Sequence, residues 1–330
     1  MSKRLALALM MLGLAAFPAR AEPTLTLLSL PFAAKDLRGP DSAVAVAVAT
    51  DGEARDAGVP RDATLAVAWG EAGAAALVAG DPVRTGALPA STVEGALMSE
   101  TPRDAPAGAR RVRRGALSVQ LSADGAVVIA ERQAVARSAE PKPVPVATAR
   151  VEAGPGAAFA GDPVLAEFDG HPAVLAIKAG AAGASLAVIG RSEGGPWRIL
   201  AETPAETAAA PGDRPEAAAL PGHGIALTRG GTLQLWNFER GALALRHEAS
   251  GFGPGAAPVK LDGGAALAVP TADRASLAIL ALDGLKERGR VALPAPAAGL
   301  SPLGRGRTAR VLVRLADGRL AAVDPQGSKP

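Results

Sequence analysis

The residues whose type and spacing suit chemistry are few. His171 and His223 stand 52 positions apart and follow matching strand-and-loop patterns. Two imidazoles on one rim would join a metal site or receive an anionic ligand, because imidazole changes charge near neutral pH. Arg110-Arg111-Val112-Arg113-Arg114 is the one strong local charge cluster. It suits an acidic partner or phospholipid head groups. Against these readings, no third metal ligand accompanies the histidines, and Pro and Gly around the arginines place them on a solvated loop. His247 stands near the end of a strand pair and is given no role. Neither the His-Glu-x-x-His pattern of zinc proteases nor a phosphate-binding Gly-x-x-x-x-Gly-Lys-Ser/Thr loop occurs. No residue is assigned as catalytic and no metal or cofactor is expected.

The elements that must position these side chains are short strands. Gly161–Ala205 divides into four of them, at Pro163–Phe168, Ala173–Lys178, Ser185–Gly190 and Trp197–Glu202, each followed by glycine, proline or acidic turn residues. Weaker copies follow at Pro215–His247 and Pro258–Leu293, with an incomplete one at Leu300–Val323. Tandem units of four antiparallel strands are the signature of a β-propeller. The expected fold is therefore all-β, a β-propeller of about seven four-stranded blades, with six as the alternative. Thr24–Leu30 is expected to complete the C-terminal blade and so close the ring, removing two open sheet edges.

Several further segments read as strands or junctions: Ser42–Ala49, an alternation of Val and Ala, then Thr64–Trp69, Ala74–Ala79 and Val93–Met98. Ala79–Val83 and Ala160–Val164 share the letters AGDPV, 81 residues apart, and read as two blade junctions. Arg137–Pro145 reads as an exposed proline-rich connection. Third strands are aligned at Thr64–Val67, Ser185–Val188, Thr232–Leu235 and Ser276–Ile279, with looser matches at Ala116–Val119 and Arg319–Ala322. Leu186, Leu233, Leu277 and Leu320 are spaced by 47, 44 and 43 residues, whereas Leu117 to Leu186 spans 69, enough for an extra blade or an insertion. Trp69 and Trp236 fall on these strands and Trp197 opens a fourth strand, which suits packing between blades.

The units of Gly161–Val323 resemble degenerate FG-GAP/VCBS-type propeller repeats. Glu167-Phe168-Asp169-Gly170 followed by Ala173–Ile177 carries the resemblance best, and Lys260–Gly264 next. Calcium-binding members of that family carry several alternating Asp or Asn in this loop, since Ca²⁺ takes six to eight oxygens. Here each loop keeps one acid at most, Asp169 or Asp262, so calcium is not carried over.

Composition bounds the rest. Lys3 and Arg4, the apolar run Leu5–Phe17 and Ala19-Arg20-Ala21 form a secretory signal expected to be cut after Ala21. Residues 22–330 then form a single propeller domain, periplasmic or secreted, with no transmembrane segment. Taking Lys3, Arg4 and Arg20 from the 35 basic residues leaves 32 against 32 acidic ones. A neutral chain lacks the basic excess that nucleic-acid binding needs. Absence of Cys rules out disulfides, thiolate nucleophiles and Cys-based metal sites. The expectation is an exported, monomeric, non-catalytic module that binds a protein or small molecule on a propeller face. The alternative is a propeller-type hydrolase or lyase with its site near His171 and His223.

Overall fold

The computed structural model describes residues 22–56, 58–60, 63–101, 110–134, 144–192, 195–207 and 214–327. Strand β1 (Thr24–Leu28) comes first in the chain and joins the last sheet. The first blade holds β2 (Asp36–Arg38), β3 (Leu65–Gly70), β4 (Gly73–Val78) and β5 (Arg84–Leu88). The second holds β6 (Val112–Arg114), β7 (Leu117–Leu121), β8 (Val127–Arg132) and β9 (Val146–Val151). The third holds β10 (Ala157–Phe168), β11 (His171–Gly180), β12 (Gly183–Gly190) and β13 (Arg198–Glu202). The fourth holds β14 (Glu216–Ala219), β15 (Gly224–Arg229), β16 (Thr232–Glu239) and β17 (Ala242–Ser250). The fifth holds β18 (Ala257–Leu261), β19 (Gly264–Pro270), β20 (Ser276–Ala281) and β21 (Glu287–Ala292). The sixth holds β22 (Ala297–Leu303), β23 (Arg310–Leu315) and β24 (Leu320–Asp324), with β1 paired outside β24. All six sheets are antiparallel and are the blades of a β-propeller.

Tight turns set the strand register. Phe168 pairs with His171, leaving Asp169-Gly170 as a two-residue hairpin loop with φ of 53° and 75°. Both angles are left-handed, as a type I′ turn requires, and Asp-Gly is among the few pairs that adopt them cheaply. The acidic Gly-rich loop that suggested a calcium-type repeat is thus a hairpin turn.

Between blades, both sheet faces are apolar and pack like a core. Leu175, Leu186 and Val188 of the third blade meet Ile225, Leu227 and Trp236 of the fourth. Leu233 then meets Leu267 and Leu280, and Leu277 and Ile279 meet Val311 and Val313. Leu312 and Leu320 of the sixth blade meet Ala66, Ala68 and Leu77 of the first. Each buried Leu or Ile contributes roughly 1.5–3 kcal/mol relative to exposure. First strands touch from blade to blade, β10 to β14, β14 to β18, β18 to β22 and β22 to β2, so they line the axis.

The first two blades break the pattern. Ser42–Ala49 is not a strand: Ser42 caps helix α1 (Ala43–Thr50), its hydroxyl accepting a hydrogen bond from the Ala45 N–H at 3.0 Å. A short helix α2 (Gly52–Asp56) follows. Val93–Met98 is likewise helical, inside α3 (Ala90–Glu100). Val44, Val48, Val93 and Ala96 of these helices pack on Leu65, Val67 and Ala76 of the first blade. A helical wedge therefore covers the face that elsewhere meets the next blade.

Six blades, not seven, follow from this. Leu117 and Thr64–Val67 belong to second strands or their approach, whereas Leu186, Leu233, Leu277 and Leu320 belong to third strands. The 69-residue gap mixed two registers, and its remaining excess lies in the β8–β9 connection (residues 133–145) and the long β10, since α1–α3 all precede Leu117. Trp69 accordingly stands on a second strand, while Trp197 and Trp236 are buried between blades. The AGDPV repeats are not equivalent either. Ala79–Val83 joins β4 to β5, whereas Ala160–Val164 spans a register shift within β10. Most of Arg137–Pro145 lies outside the described residues.

Candidate functional site

Strand geometry splits the arginine cluster. Successive side chains on a strand point to opposite faces, so the run that reads as one patch supplies two places. Arg110, just before β6, turns to the axis. Its guanidinium is 3.1 Å from Oδ2 of Asp162 on β10 and 3.6 Å from Oδ2 of Asp36, the first residue of β2. Asp36 also accepts from Arg38 Nη1 at 2.5 Å, and Arg38 Nε is 3.1 Å from Oε2 of Glu100 at the end of α3. The Arg38 guanidinium lies 5.0 Å over the Trp69 ring. An ion chain thus runs Glu100–Arg38–Asp36–Arg110–Asp162, tying the wedge to three first strands or their approaches.

Its electrostatics are strained in one direction. Glu100 is 3% exposed, and burial raises its pKa despite the opposing pull of Arg38. Burial also raises Asp162, with Arg110 and Arg38 working against it. Glu216, which opens β14, is raised by burial, with Arg274 opposing and Asp162 adding repulsion. Yet the Asp162 side chain keeps 40% of its exposure. A carboxylate ringed by first strands but reached by water along the axis satisfies both observations. Glu216 and Arg274 also line a cleft of about 190 Å³ with Gly255, Gly299 and Leu300. An added Cβ at Gly255 would come within 3.5 Å of Glu216 Oε2.

The other arginines go elsewhere. Arg114 donates to the Leu165 carbonyl at 3.0 Å and lies 4.0 Å from Asp41. Arg111 and Arg113 face a separate cleft on the second blade. Burial, with the Arg113 charge adding to it, lowers the Arg111 pKa.

His171 and His223 lie at the opposite end of the ring, at hairpins where first strands end. His223 Nε2 is 3.4 Å from Asp169 Oδ1, and its ring stacks on Phe168 with centroids 6.4 Å apart. Its Nδ1 is buried without a hydrogen-bond partner. His171 is exposed at the start of β11, and the structure does not bring it into the Asp169–His223 pair. Among the described residues, no group of three or more His, Cys, Asp or Glu side chains is placed to hold a metal ion.

Sequence reasoning passed over two features. Asp36, Glu100, Glu216 and Arg274 carry no local signature, because only ring formation brings them together. Gly190-Arg191-Ser192-Glu193-Gly194 matches the letters of a serine-hydrolase elbow. Glu193 and Gly194 lie outside the described residues, and the stretch falls between two strands, β12 and β13, whereas that elbow leads from a strand into a helix. Arg191 there forms an ion pair with Glu131 at 3.0 Å and covers the Trp197 ring at 5.3 Å.

No protein-family pattern matches the chain, and no curated protein does. Solved structures similar to it include the β-propeller domain of Cps50 (Swd1) from Myceliophteria thermophila, at 9% identity and a TM-score of 0.46, with 76% of this chain and 78% of that one covered. Sqt1 of Saccharomyces cerevisiae gives 12% identity and a TM-score of 0.45 over 64% of this chain and 58% of that one. BBS1N, solved in complex with ARL6DN, gives 12% identity and a TM-score of 0.39 over 78% and 75%. Among the described residues, no helix is long and apolar enough to cross a membrane.

Proposed function

We propose that this chain is an exported, non-catalytic binding module whose contact face is the end of the ring where the first strands begin. One observation carries the reading. Asp36, Arg110, Asp162, Glu216 and Arg274 gather there from separate blades, with the Asp162 and Glu216 carboxyls held above their ordinary pKa beside a cleft. Charge held partly out of water at the axial opening and incompletely compensated costs stability, so its concentration at one opening supports a role in binding. The rigid ring then serves to hold the groups in place.

In this reading residues 1–21 are removed on export, and the domain runs from Glu22 as a soluble periplasmic or secreted monomer. The β1–β24 pairing closes the ring, and the later blades are degenerate repeats of FG-GAP/VCBS type. Intact mass of material from the periplasm or culture medium tests the first point, with a chain beginning at Glu22 as the expected result. Affinity capture from the native periplasm tests the second. A partner held by the wild type and lost by Glu216→Arg supports the proposed face, and equal capture by both overturns it.

One observation favours the rival reading of a hydrolase or lyase: Asp169 lies 3.4 Å from His223, the arrangement of a base and its orienting carboxylate. Turnover of an ester or glycoside panel that His223→Ala abolishes would establish it.

A further inference from the structure

The second blade differs from the third to sixth in one respect, and the difference points to a second site. On β7 and β8 the side chains Val119, Leu121, Val127 and Ile129 are buried against the third blade. The alternate side chains face the other way, toward the first blade. In the regular blades both faces are apolar and closed. Here the second face is polar and borders a cleft of about 400 Å³. No residue of α1 or α3 is among its described lining residues, so at this place the wedge does not fill the gap that a neighbouring blade would.

The lining has a definite charge. Arg111, Arg113 and Arg132 converge on the cleft, and no carboxylate is among its described lining residues. Register places Arg113 across from Ser118, and Arg111 Nε donates to Gln120 Oε1 at 2.8 Å. Arg132 Nη2 donates to the Gly115 carbonyl at 3.1 Å, which fixes its guanidinium at the rim. Arg113 has no hydrogen-bond or ion-pair partner among the described residues. Like charges two apart on one strand face repel; burial is the main cause that lowers the Arg111 pKa, and the Arg113 charge adds to it. Val128 and Ala130 add apolar surface to the cleft, and the exposed Val146 borders it.

We propose that this cleft binds a small polyvalent oxyanion, with phosphate or carboxylate groups held by the Arg111, Arg113 and Arg132 guanidiniums. Guanidinium forks match both oxyanions bidentately, and the volume falls in the range of small-molecule pockets. Bound anion would relieve the repulsion on β6, so ligand and blade stabilise each other. The site is separate from the axial face, and its test does not depend on that face having a partner.

Thermal unfolding and titration calorimetry on the mature chain test the proposal, with pyrophosphate, citrate and inorganic phosphate at matched ionic strength. Expected results are a midpoint rise of at least 2 °C with 5 mM pyrophosphate or citrate and a smaller rise with phosphate. Arg113→Gln and Arg132→Gln should each weaken binding about tenfold, one lost charge-assisted contact being worth roughly 1.4 kcal/mol. Both side chains are exposed, so the variants should fold. Arg305→Gln/Arg307→Gln, on a distant exposed loop, should bind as the wild type does. Pyrophosphate preferred over citrate identifies phosphate as the anion, and the reverse preference identifies carboxylate; either supports the site. Equal shifts in all variants would show mere screening, and no shift with any anion would show an unoccupied surface. Both of those outcomes overturn the proposal.

Discussion

The third to sixth blades and the first two solve the same packing problem by different means. In the former, every sheet offers two apolar faces, and the junctions are made of Leu, Ile, Val and Trp. In the latter, α1 and α3 cover the first blade, and a buried ion pair, Arg38–Glu100, ties α3 to β2. An apolar junction tolerates local change, because each contact adds a modest increment. An ion-paired wedge is all-or-none: both charges stay satisfied together or one is stranded.

The strongest way to break this comparison is Glu100→Ala. Arg38, 8% exposed, would keep Asp36, the Leu37 carbonyl and the Trp69 face, so the loss should fall at the low end of the roughly 3–5 kcal/mol that breaking a buried ion pair costs. Urea unfolding should show that loss. A change below about 1 kcal/mol would mean that the wedge is held by its apolar contacts instead. Leu277→Ala probes the regular side. The residue is fully buried between the fifth and sixth blades, and the loss should be about 2–5 kcal/mol. Val93→Ala, the matching change in α3, removes less apolar volume and should cost about 1.5 kcal/mol. Equal losses at Leu277 and Val93 would erase the contrast.

The same contrast governs what the sequence reveals. Blades three to six were legible because strand alternation, Gly turns and apolar content agree at every level. The four strands read from Gly161–Ala205 match β10–β13 closely, with β10 and β11 longer than expected. The wedge was hidden by two opposite disguises. Val-Ala alternation in Ser42–Ala49 imitates a strand, yet a helix apolar on nearly every side is suited to burial, and Ser42 supplies the cap. In α3 the stripe Val93, Ala96, Leu97, Glu100 has helical spacing, but its last member is charged. Glu100 reads as a solvent-facing residue until Arg38, 62 positions earlier, is placed beside it. Of the candidate site, Arg110 was visible as part of a basic run. Its separation from Arg111 and Arg113 needed the strand, and its partners needed the ring.

Two smaller effects sharpen the electrostatic side. Glu216, although surface-exposed at the axial opening, has a folded pKa raised by desolvation among the neighbouring first strands. Its contribution is therefore fully present below the unfolded carboxylate value, near 4.3, and is lost as pH rises through the folded value. Glu216→Gln should accordingly raise the melting midpoint at pH 7.5 by about 1–2 °C, and the gain should vanish near pH 4. A gain that persists at pH 4 would place the cause in packing. Smallest of all is calcium. Asp169 lies on a two-residue turn beside His223, and Asp262 lies 3.9 Å from Arg307. Midpoints in excess EDTA and in millimolar CaCl₂ should agree within about 1 °C, since one carboxylate per turn leaves the ion undercoordinated. A rise of several degrees with calcium would reveal ligands beyond these turns.

The β1–β24 pairing has a consequence for how the molecule is made. Thr24 lies opposite Asp324 and Leu28 opposite Leu320, so a strand from one end of the chain waits for a strand from the other. At roughly 5–20 residues per second, about 300 residues of intervening synthesis take on the order of 15–60 s. Throughout that time β1 has no neighbour, and β24 does not yet exist. Five blades can assemble as they emerge, each from contiguous chain, whereas the sixth can form only once Leu320–Asp324 has been made. A nascent chain stalled before Leu320 would carry five sheets and a loose leading strand, the state most exposed to proteases and to pairing with another copy.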